Sequence, residues 1–275
     1  MLLIFGSGYC GGRLAAAART RGLAVTTIGR EPSGDTPGSA DPAVAGLISA
    51  ARWIVSTVPP APGAGDPILP HHRAALGSTR AFRCYLSSTG VYGDAGGAWV
   101  DEDSPTIGAG AGGRRRERAR ADAGWRALGA MVLRLPGIYG PGRSALDQVA
   151  AGTLRRIDRP GHRFSRIHVA DIAGAILCAM ARETDGVFNL ADELPAEPRD
   201  VAEEACRLAG APLPPLVPLE DAALSPAAAG FWAERRLVSG LRFRRATGYR
   251  LRHPDYRAGL RAIHAGEMLP WPTGF

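Results

Sequence analysis

Lysine is absent from this chain of 275 residues, so all 33 basic side chains are arginines, and the formal net charge is +7. Cysteine is scarce as well. The four cysteines are widely scattered, and none lies in a CxxC pair: Cys10, Cys84, Cys178 and Cys206. This spacing favours neither a zinc site nor a disulfide framework. We therefore predict no bound metal and interpret the cysteines as small, mostly buried side chains in a reducing compartment.

Long apolar runs are missing too. The longest ones break off within about ten residues, which is too short to cross a bilayer. Residues 1–5 are apolar, but no basic region precedes them and they lead directly into Gly6. This pattern is typical of a first β-strand and not of a signal peptide. We therefore expect a cytoplasmic protein with no membrane partner.

Aromatic side chains are absent from the densest basic run, Arg114 to Arg120. A nucleic-acid surface usually combines a basic face with aromatic groups that stack on bases. A solvated helix face explains this run more simply. The expected partner is therefore a small-molecule substrate and not a nucleic acid.

A glycine-rich turn follows the first predicted strand and opens the first predicted helix. Gly6, Gly8 and Gly11 fit the pattern GxGxxG, which in this context indicates a dinucleotide-binding loop. Gly6 permits the tight turn, Gly8 lets the backbone approach a pyrophosphate, and Gly11 allows the helix to pack closely on the strand. The helix N-terminus offers free N–H groups to the phosphates. We predict a nicotinamide dinucleotide here, with Tyr9 and Cys10 among its contacts; the alternative is a purely structural turn.

The end of the second predicted strand decides between NAD and NADP. An acidic residue there would bind the ribose 2′-hydroxyl of NAD. Arg30 occupies this end, and its planar cationic side chain can hold the 2′-phosphate of NADP. Glu31 would serve NAD if the strand ran one residue further. NADP is therefore favoured, with NAD as the alternative. Asp41, after the expected third strand, is placed either near the adenine amino group or in an ordinary loop.

Further cofactor contacts are expected where predicted strands end, because ligands bind at the carboxyl ends of the strands in such sheets. The candidates are Thr57, Val58, Pro59, Ser87 and Pro136. Each of these positions also fits an ordinary strand end.

The order of strands and helices predicts the fold class. Strands are predicted at 2–5, 23–28, 53–58, 83–87, 130–135 and 186–190, and helices at 13–21, 66–81, 114–128 and 171–182. Apolar strands separated by helices indicate a parallel sheet covered on both faces. We therefore predict an α/β protein, a doubly wound parallel sheet (Rossmann fold) with a small C-terminal substrate lobe. Residues 1–140 and 167–191 are assigned to the dinucleotide-binding domain, and residues 141–166 and 192–275 to the lobe.

Four stretches resemble, in order and spacing, motifs of the extended short-chain dehydrogenase/reductases, the NAD(P)-dependent epimerase/dehydratase family. They are Tyr85–Asp94, Leu133–Gly142, Arg166–Ala173 and Val187–Leu190. The resemblance covers residues 1 to about 191, and the remaining tail is not diagnostic. It implies a Rossmann fold, an NAD(P) cofactor and epimerase, dehydratase or reductase chemistry. The implied substrate is a small hydroxyl or carbonyl compound, nucleotide-linked or anionic.

The resemblance breaks at the catalytic positions. In the family, a serine or threonine works with a Tyr-x-x-x-Lys helix, whose tyrosine exchanges a proton with the substrate oxygen while the lysine lowers the pKa of that tyrosine. Ser88 matches the hydroxyl position. Arg114 and Arg118 take the tyrosine and lysine positions. Arginine stays protonated, so it cannot replace the tyrosine as an acid. The chain thus resembles an atypical member of the family.

Other side chains are candidates for the missing roles. Tyr92 is the candidate acid, although a structural role is more common at its position. His168 is interpreted as a packed or hydrogen-bonded histidine, and His71 and His72 as surface residues.

The expected substrate cleft is bordered by Thr89, Arg143 and Arg166. Arginine suits a phosphate or carboxylate group, and a surface ion pair is the alternative for each arginine.

Two functions stay open at this stage. One is an NADP-dependent reductase, epimerase or dehydratase in which Ser88 orients the reacting oxygen. The other is a catalytically inactive NADP(H) sensor that signals through a partner, which the missing Tyr and Lys would explain. A homodimer is also open: related proteins dimerise through helices flanking the sheet, but here one of these helices contains prolines and the other is rich in arginine.

Overall fold

The computed structural model describes residues 1–29, 38–107, 113–224, 229–230 and 232–266, without the side chains of residues 113 and 114. The strands are β1 (Leu2–Phe5), β2 (Val25–Ile28), β3 (Trp53–Ser56), β4 (Phe82–Ser88), β5 (Trp99–Val100), β6 (Met131–Leu135), β7 (Gly137–Tyr139), β8 (Arg156–Asp158), β9 (Arg166–His168), β10 (Val187–Asn189), β11 (Leu216–Pro218) and β12 (Leu237–Val238).

The helices are α1 (Tyr9–Arg19), α2 (Val44–Ala50), α3 (Leu69–Ser78), α4 (Gly113–Arg126), α5 (Ala145–Ala150), α6 (Val169–Arg182) and α7 (Pro198–Ala209), followed by Leu241–Thr247 and Tyr256–His264; Thr89–Tyr92 and Leu219–Asp221 are 3₁₀ turns.

The central sheet has six parallel strands in the order β2-β1-β3-β4-β6-β10. The chain leaves β1 for β2 on one side and returns to β3 on the other side. β1 and β3 therefore form the switch point of the sheet, where Phe5 pairs with Ser56. In open parallel sheets, ligands bind outside the carboxyl ends of the strands at this point. The predicted doubly wound sheet is confirmed.

Each face of the sheet carries its own apolar core, because side chains along a strand alternate between the two faces. From β1, Leu2 and Ile4 pack with α1 and α6, while Leu3 and Phe5 pack with α2, α3 and α4. Trp125 of α4 is fully buried and stacks on Tyr85 with ring centroids 5.5 Å apart. Helices thus cover the sheet on both sides, which leaves its carboxyl edge for a site.

Before Asp41 the structure describes one parallel bridge, between Gly29 and Gly38, and residues 30–37 lie outside the described part of the chain. Asp41 accepts a hydrogen bond from the backbone N–H of Ala43 (2.8 Å) just before α2, a helix that was not predicted. Arg30 and Glu31 lie outside the described residues.

Two local predictions were wrong. The helix predicted to start at Asp171 begins two residues earlier: α6 starts at Val169, and the Nδ1 atom of His168 accepts the capping bond from the N–H of Ala170 (3.2 Å). His72 is not a surface residue: it is 3% exposed, and its Nε2 atom lies 2.8 Å from the carbonyl oxygen of Ser39. His71 is exposed as expected.

A smaller lobe packs beside the sheet, and we define it by α5, β8, α7, β11 and helix Tyr256–His264. β8 and β11 pair in parallel. Ala205, Tyr256 and Leu260 form its apolar centre, with Leu146 and Val149 of α5 against them. The exact domain boundaries given above stay a prediction. In the part of the chain that the structure describes, no helix is long and apolar enough to span a bilayer.

Candidate functional site

The glycine loop leaves room for a ligand at one glycine and none at another. A Cβ atom on Gly11 would lie 1.8 Å from the carbonyl oxygen of Gly6, so α1 can approach β1 only with glycine there. Gly6 has φ +100°, and a Cβ atom on it would lie 2.5 Å from Oγ1 of Thr57. A Cβ atom on Gly8 would meet no atom within 4 Å. The loop is therefore tightly packed at Gly6 and Gly11, whereas it has open space at Gly8.

The N-terminus of α1 faces this open space without a side-chain cap. Gly8 is the N-cap residue, no side chain accepts from the first N–H groups, and the first turn contains no acidic residue. Uncapped N–H groups and the helix dipole together attract an anion. The loop therefore fits the pyrophosphate of a dinucleotide.

Neighbouring elements fix this loop from two sides. Thr57, which follows β3, donates its hydroxyl to the carbonyl oxygens of Phe5 (3.1 Å) and Gly6 (3.3 Å). Tyr9 donates its hydroxyl to the carbonyl oxygen of Pro141 (3.1 Å), and burial raises the pKa of Tyr9 to about 12. The guanidinium of Arg143 lies 5.8 Å from the Tyr9 ring centroid and connects the loop with the adjoining cleft.

The remaining predicted loop contacts surround the same edge. Val58 lies beside Gly6, Pro59 is exposed after it, and Cys10 is half-buried at the start of α1. Burial raises the pKa of the Cys10 thiol to about 11.

A cleft of about 520 Å³ lies where β4 and β6 end, and we call it the reaction cleft. Its lining includes four residues predicted for catalysis or substrate binding, namely Ser88, Thr89, Arg118 and Arg143, together with Ser87 and Pro136, which were predicted as cofactor contacts. The hydroxyl of Ser88 accepts a hydrogen bond from the N–H of Gly90 (3.1 Å), so its own proton can be donated. Arg114 lies at the start of α4, but its side chain is outside the described set.

Tyr92 lies in a buried network behind the cleft and not on its lining. Its hydroxyl donates to Oδ1 of Asn189 (2.8 Å) and accepts from Nη1 of Arg134 (3.0 Å). Arg134 holds the Asp122 carboxylate through two nitrogens, each at 3.1 Å, and Ser87 donates to the same carboxylate (2.7 Å). Burial raises the pKa of Tyr92. This geometry gives Tyr92 a structural role, and we do not propose it as the acid.

The reaction cleft offers cations but no evident proton donor. Among the described residues that line it there is no tyrosine, histidine, cysteine or aspartate. Glu234 is its carboxylate, and this side chain pairs with Arg115 (2.5 Å) and Arg236. The sequence analysis missed these three residues. The C-terminal tail carries no motif, so only the position of Arg115 beside Arg114 could have suggested its role.

A second pocket, of about 550 Å³, lies between the sheet and the lobe, and we call it the lobe pocket. It shares five lining residues with the reaction cleft: Gly137, Ile138, Arg143, Phe164 and Ser165. Arg166 lines it, and its Nη1 atom donates to the carbonyl oxygens of Phe164 (2.9 Å) and Ala196 (3.0 Å). The structure therefore separates Arg166 from the reaction cleft, where Arg143 and Thr89 lie.

Two histidines and an aspartate cluster below the glycine loop. The ring centroids of His168 and His253 are 3.9 Å apart, and Nδ1 of His253 lies 2.8 Å from the Asp171 carboxylate. That carboxylate also accepts from Tyr249 and from the N–H groups of Arg252 and His253. Burial lowers the pKa of His168 to about 3. The hydrogen bonds already made by Asp171 explain the cluster as structural, as expected for His168.

Comparison with known proteins places this geometry in a family. No protein-family model matches the chain. A 3-diazoavenalumate denitrifying reductase from a Streptomyces species is 33% identical over 144 residues, which cover 48% of this chain and 46% of that protein. The chain thus matches less than half the length of this curated relative.

The similarity to solved structures extends over nearly the whole chain. A protein of unknown function from Silicibacter pomeroyi is 36% identical with a TM-score of 0.80, covering 96% of this chain and 98% of that one. A protein from Methylobacillus flagellatus, named as an NAD-dependent epimerase/dehydratase, has 24% identity and a TM-score of 0.72, with 96% and 97% coverage. A human epimerase family protein in complex with NADPH has 18% identity and a TM-score of 0.72, with 96% and 98% coverage.

The chain belongs to one family with the Silicibacter protein. It shares its fold with NAD-dependent epimerase/dehydratase-type proteins, as the resemblance of its four motifs predicted.

Proposed function

We propose that the chain is an NAD(P)H-dependent reductase whose substrate takes up hydride without receiving a proton from the protein. This proposal rests on one observation, the set of side chains that line the reaction cleft. It combines the Ser88 hydroxyl with guanidinium groups from Arg115, Arg118 and Arg143, but its described lining lacks the acid that an epimerase or dehydratase of this family would need.

The glycine loop supports the cofactor. The open side of Gly8 and the uncapped N–H groups of α1 fit the pyrophosphate, and Arg30 would bind the 2′-phosphate of NADP, which makes NADP the proposed cofactor over NAD. When bound, the dinucleotide supplies a hydride. The human structural neighbour is in complex with NADPH and another neighbour with NAD, so the neighbours support a nicotinamide dinucleotide and the choice of NADP rests on Arg30.

Residues of the cleft would then hold the substrate and stabilise negative charge. Ser88 can donate one hydrogen bond, but a serine hydroxyl without a base does not release its proton. Arg118 takes the position of the family's lysine on α4, and its fixed positive charge can hold an anionic group of the cofactor or of the substrate. Ser87 cannot help, because its hydroxyl is bound to Asp122.

A diazonium group is one electrophile that meets this requirement. Hydride and an arenediazonium ion give an arene and N₂, a balance in which no proton is needed. The curated Streptomyces relative is by name a denitrifying reductase for a diazo compound. Ketones and aldehydes differ, since the alkoxide that hydride produces must gain a proton.

The test compares these two substrate classes. NADPH with deuterium at C4 is mixed with the protein and either a stabilised arenediazonium salt or a panel of ketones, aldehydes and nucleotide sugars. We expect cofactor oxidation and a deuterium-labelled arene with the diazonium salt and much slower turnover of the carbonyl compounds. Mass spectrometry of the products gives the readout.

The control is the Gly8→Val variant, which should not bind the cofactor and therefore measures the uncatalysed reaction. Faster reduction of carbonyl compounds than of the diazonium salt would contradict the proposal. Tight NADPH binding without oxidation by any substrate would favour the sensor, the alternative that the missing Tyr and Lys support.

A further inference from the structure

Arg166 in the lobe pocket makes no ion pair within 4 Å with a carboxylate in the described part of the chain. Its Nη1 atom is held by two carbonyl oxygens. Asp192 is the carboxyl group that interacts with Arg166 most strongly over a longer distance, and burial raises the pKa of that carboxyl although Arg166 lowers it. Arg166 can therefore accept a carboxylate as a direct partner.

Aromatic side chains form part of the wall of the lobe pocket. Phe164, Trp232 and Tyr256 line the lobe pocket, and the Phe164 and Trp232 rings are packed edge to face with centroids 5.2 Å apart. The backbone carbonyl of Trp232 accepts from Nη1 of Arg159 (2.8 Å), which fixes this residue in place. Such rigid walls favour a flat, apolar ring over a flexible polar chain.

The N-termini of α5 and α7, which lie at this pocket, do not form a phosphate-binding site. Asp147 closes the N-terminus of α5 by accepting from the N–H and hydroxyl of Ser144, and the same carboxylate lines the pocket. α7 begins with Pro198, which has no N–H to donate, and Glu197 precedes it. A diphosphate at either helix start would meet these acidic groups, whereas a carboxylate can pair with Arg166, which lines the pocket together with Arg143 and Arg155.

We propose that the lobe pocket binds an aromatic carboxylate, with the carboxylate on Arg166 and the ring against Phe164 and Trp232. This rests on the proposed reductase, because the shared lining of the two cavities lets one substrate reach from Arg166 to the reaction cleft. Arg166 thus selects the acid, and the electrophilic end of the molecule lies in the reaction cleft.

Calorimetry with trans-cinnamate, its uncharged analogue cinnamamide and UDP tests the proposal on the full chain, with and without NADPH. We expect cinnamate to bind at least about ten-fold more tightly than cinnamamide, because a charge-assisted hydrogen bond to arginine is lost in the amide. The Arg166→Gln variant should bind the acid about ten-fold more weakly and the amide unchanged. The exposed Arg163 serves as the matched control, since Arg163→Gln should leave both affinities as they are.

The comparison of acid and amide on the unmodified protein decides the matter even if Arg166→Gln does not fold. Equal binding of acid and amide, tighter binding of UDP than of cinnamate, or no binding of cinnamate would each overturn the proposal. Turnover of an arenediazonium salt that lacks a carboxylate as fast as that of its carboxylate-bearing counterpart would refute this pocket assignment and leave the reductase intact. Cinnamate binding by a protein that does not bind NADPH would refute the proposed reductase and leave the pocket assignment intact.

Discussion

Gly8 and Gly11 belong to one motif, but the space around them differs completely. Gly8 has an extended backbone (φ −71°, ψ −161°) and open space at its Cβ position, whereas Gly11 touches the backbone of Gly6. We expect Gly8→Val to change the free energy of unfolding by less than about 0.5 kcal/mol, as at other open positions. The same change should remove detectable NADPH binding, because the side chain would fill the space for the pyrophosphate.

The matched variant is Gly11→Ala, which must move backbone atoms and should lower the free energy of unfolding by about 1–3 kcal/mol. Urea unfolding and calorimetry with NADPH measure both effects. Normal NADPH binding by Gly8→Val would show that this loop is a structural turn.

The proposed preference for NADP over NAD depends on Arg30. Since a hydrogen bond to a charged group contributes about 1.5–3 kcal/mol, Arg30→Ala should weaken NADPH binding about ten-fold or more and leave NADH binding unchanged. Arg80 is an exposed control before the amino end of β4, at the opposite edge of the sheet. Equal losses for NADPH and NADH would instead point to a general electrostatic effect.

At the scale of elements, the Tyr92 network joins α4 and the ends of β6 and β10 to the 3₁₀ turn after β4. Tyr92→Phe removes a buried hydroxyl with two partners, Asn189 and Arg134, and should cost about 1–3 kcal/mol of stability with turnover retained. Asp122→Asn should cost more, about 3–5 kcal/mol, because it leaves Arg134 as a buried charge without its anion.

Urea unfolding and NADPH oxidation, measured on both variants, separate the two roles of Tyr92. If Tyr92→Phe kept full stability but lost turnover, the hydroxyl would be catalytic after all.

At the scale of the whole molecule, buried histidines link stability to pH. His162 is 1% exposed between Phe164 and Trp232, neither ring nitrogen has a hydrogen-bond partner, and burial lowers its pKa from 6.5 to about 4. Below pH 6.5 the unfolded chain therefore binds a proton at His162 that the folded chain does not bind. The contribution of His162 to the free energy of unfolding is fully present above pH 6.5 and is lost as the pH falls toward 4.

The His162→Phe variant should lose this part of the acid sensitivity. At pH 5 the difference corresponds to about 2 kcal/mol, because one pH unit is worth about 1.4 kcal/mol. Urea unfolding at pH 5 and pH 8 checks it: the two proteins should differ in how much stability they lose on acidification. An identical loss would show that His162 is accessible to protons in the folded state.

The sequence predicted the sheet and its glycine loop well, because these depend on short-range patterns. Gly11, for instance, is required by a contact only five residues away. It could not predict the pairing of Arg115 with Glu234, or the pocket formed by Phe164, Trp232 and Tyr256, since these contacts join distant segments without any local signal. His72 was misjudged for the same reason: its burial depends on Ser39, which follows the bridge residue Gly38.

The path of the chain between sheet and lobe has a consequence for how this protein can diversify. After β6 the chain enters the lobe at α5, returns to the sheet through α6 and β10, and leaves it again for α7. Such interleaving prevents the lobe from being exchanged as one continuous segment. A cut before β10 divides the sheet, and a cut after β10 separates α7 from α5 and β8, with which it packs. Point substitutions along the cavity walls, in contrast, change specificity without breaking either part.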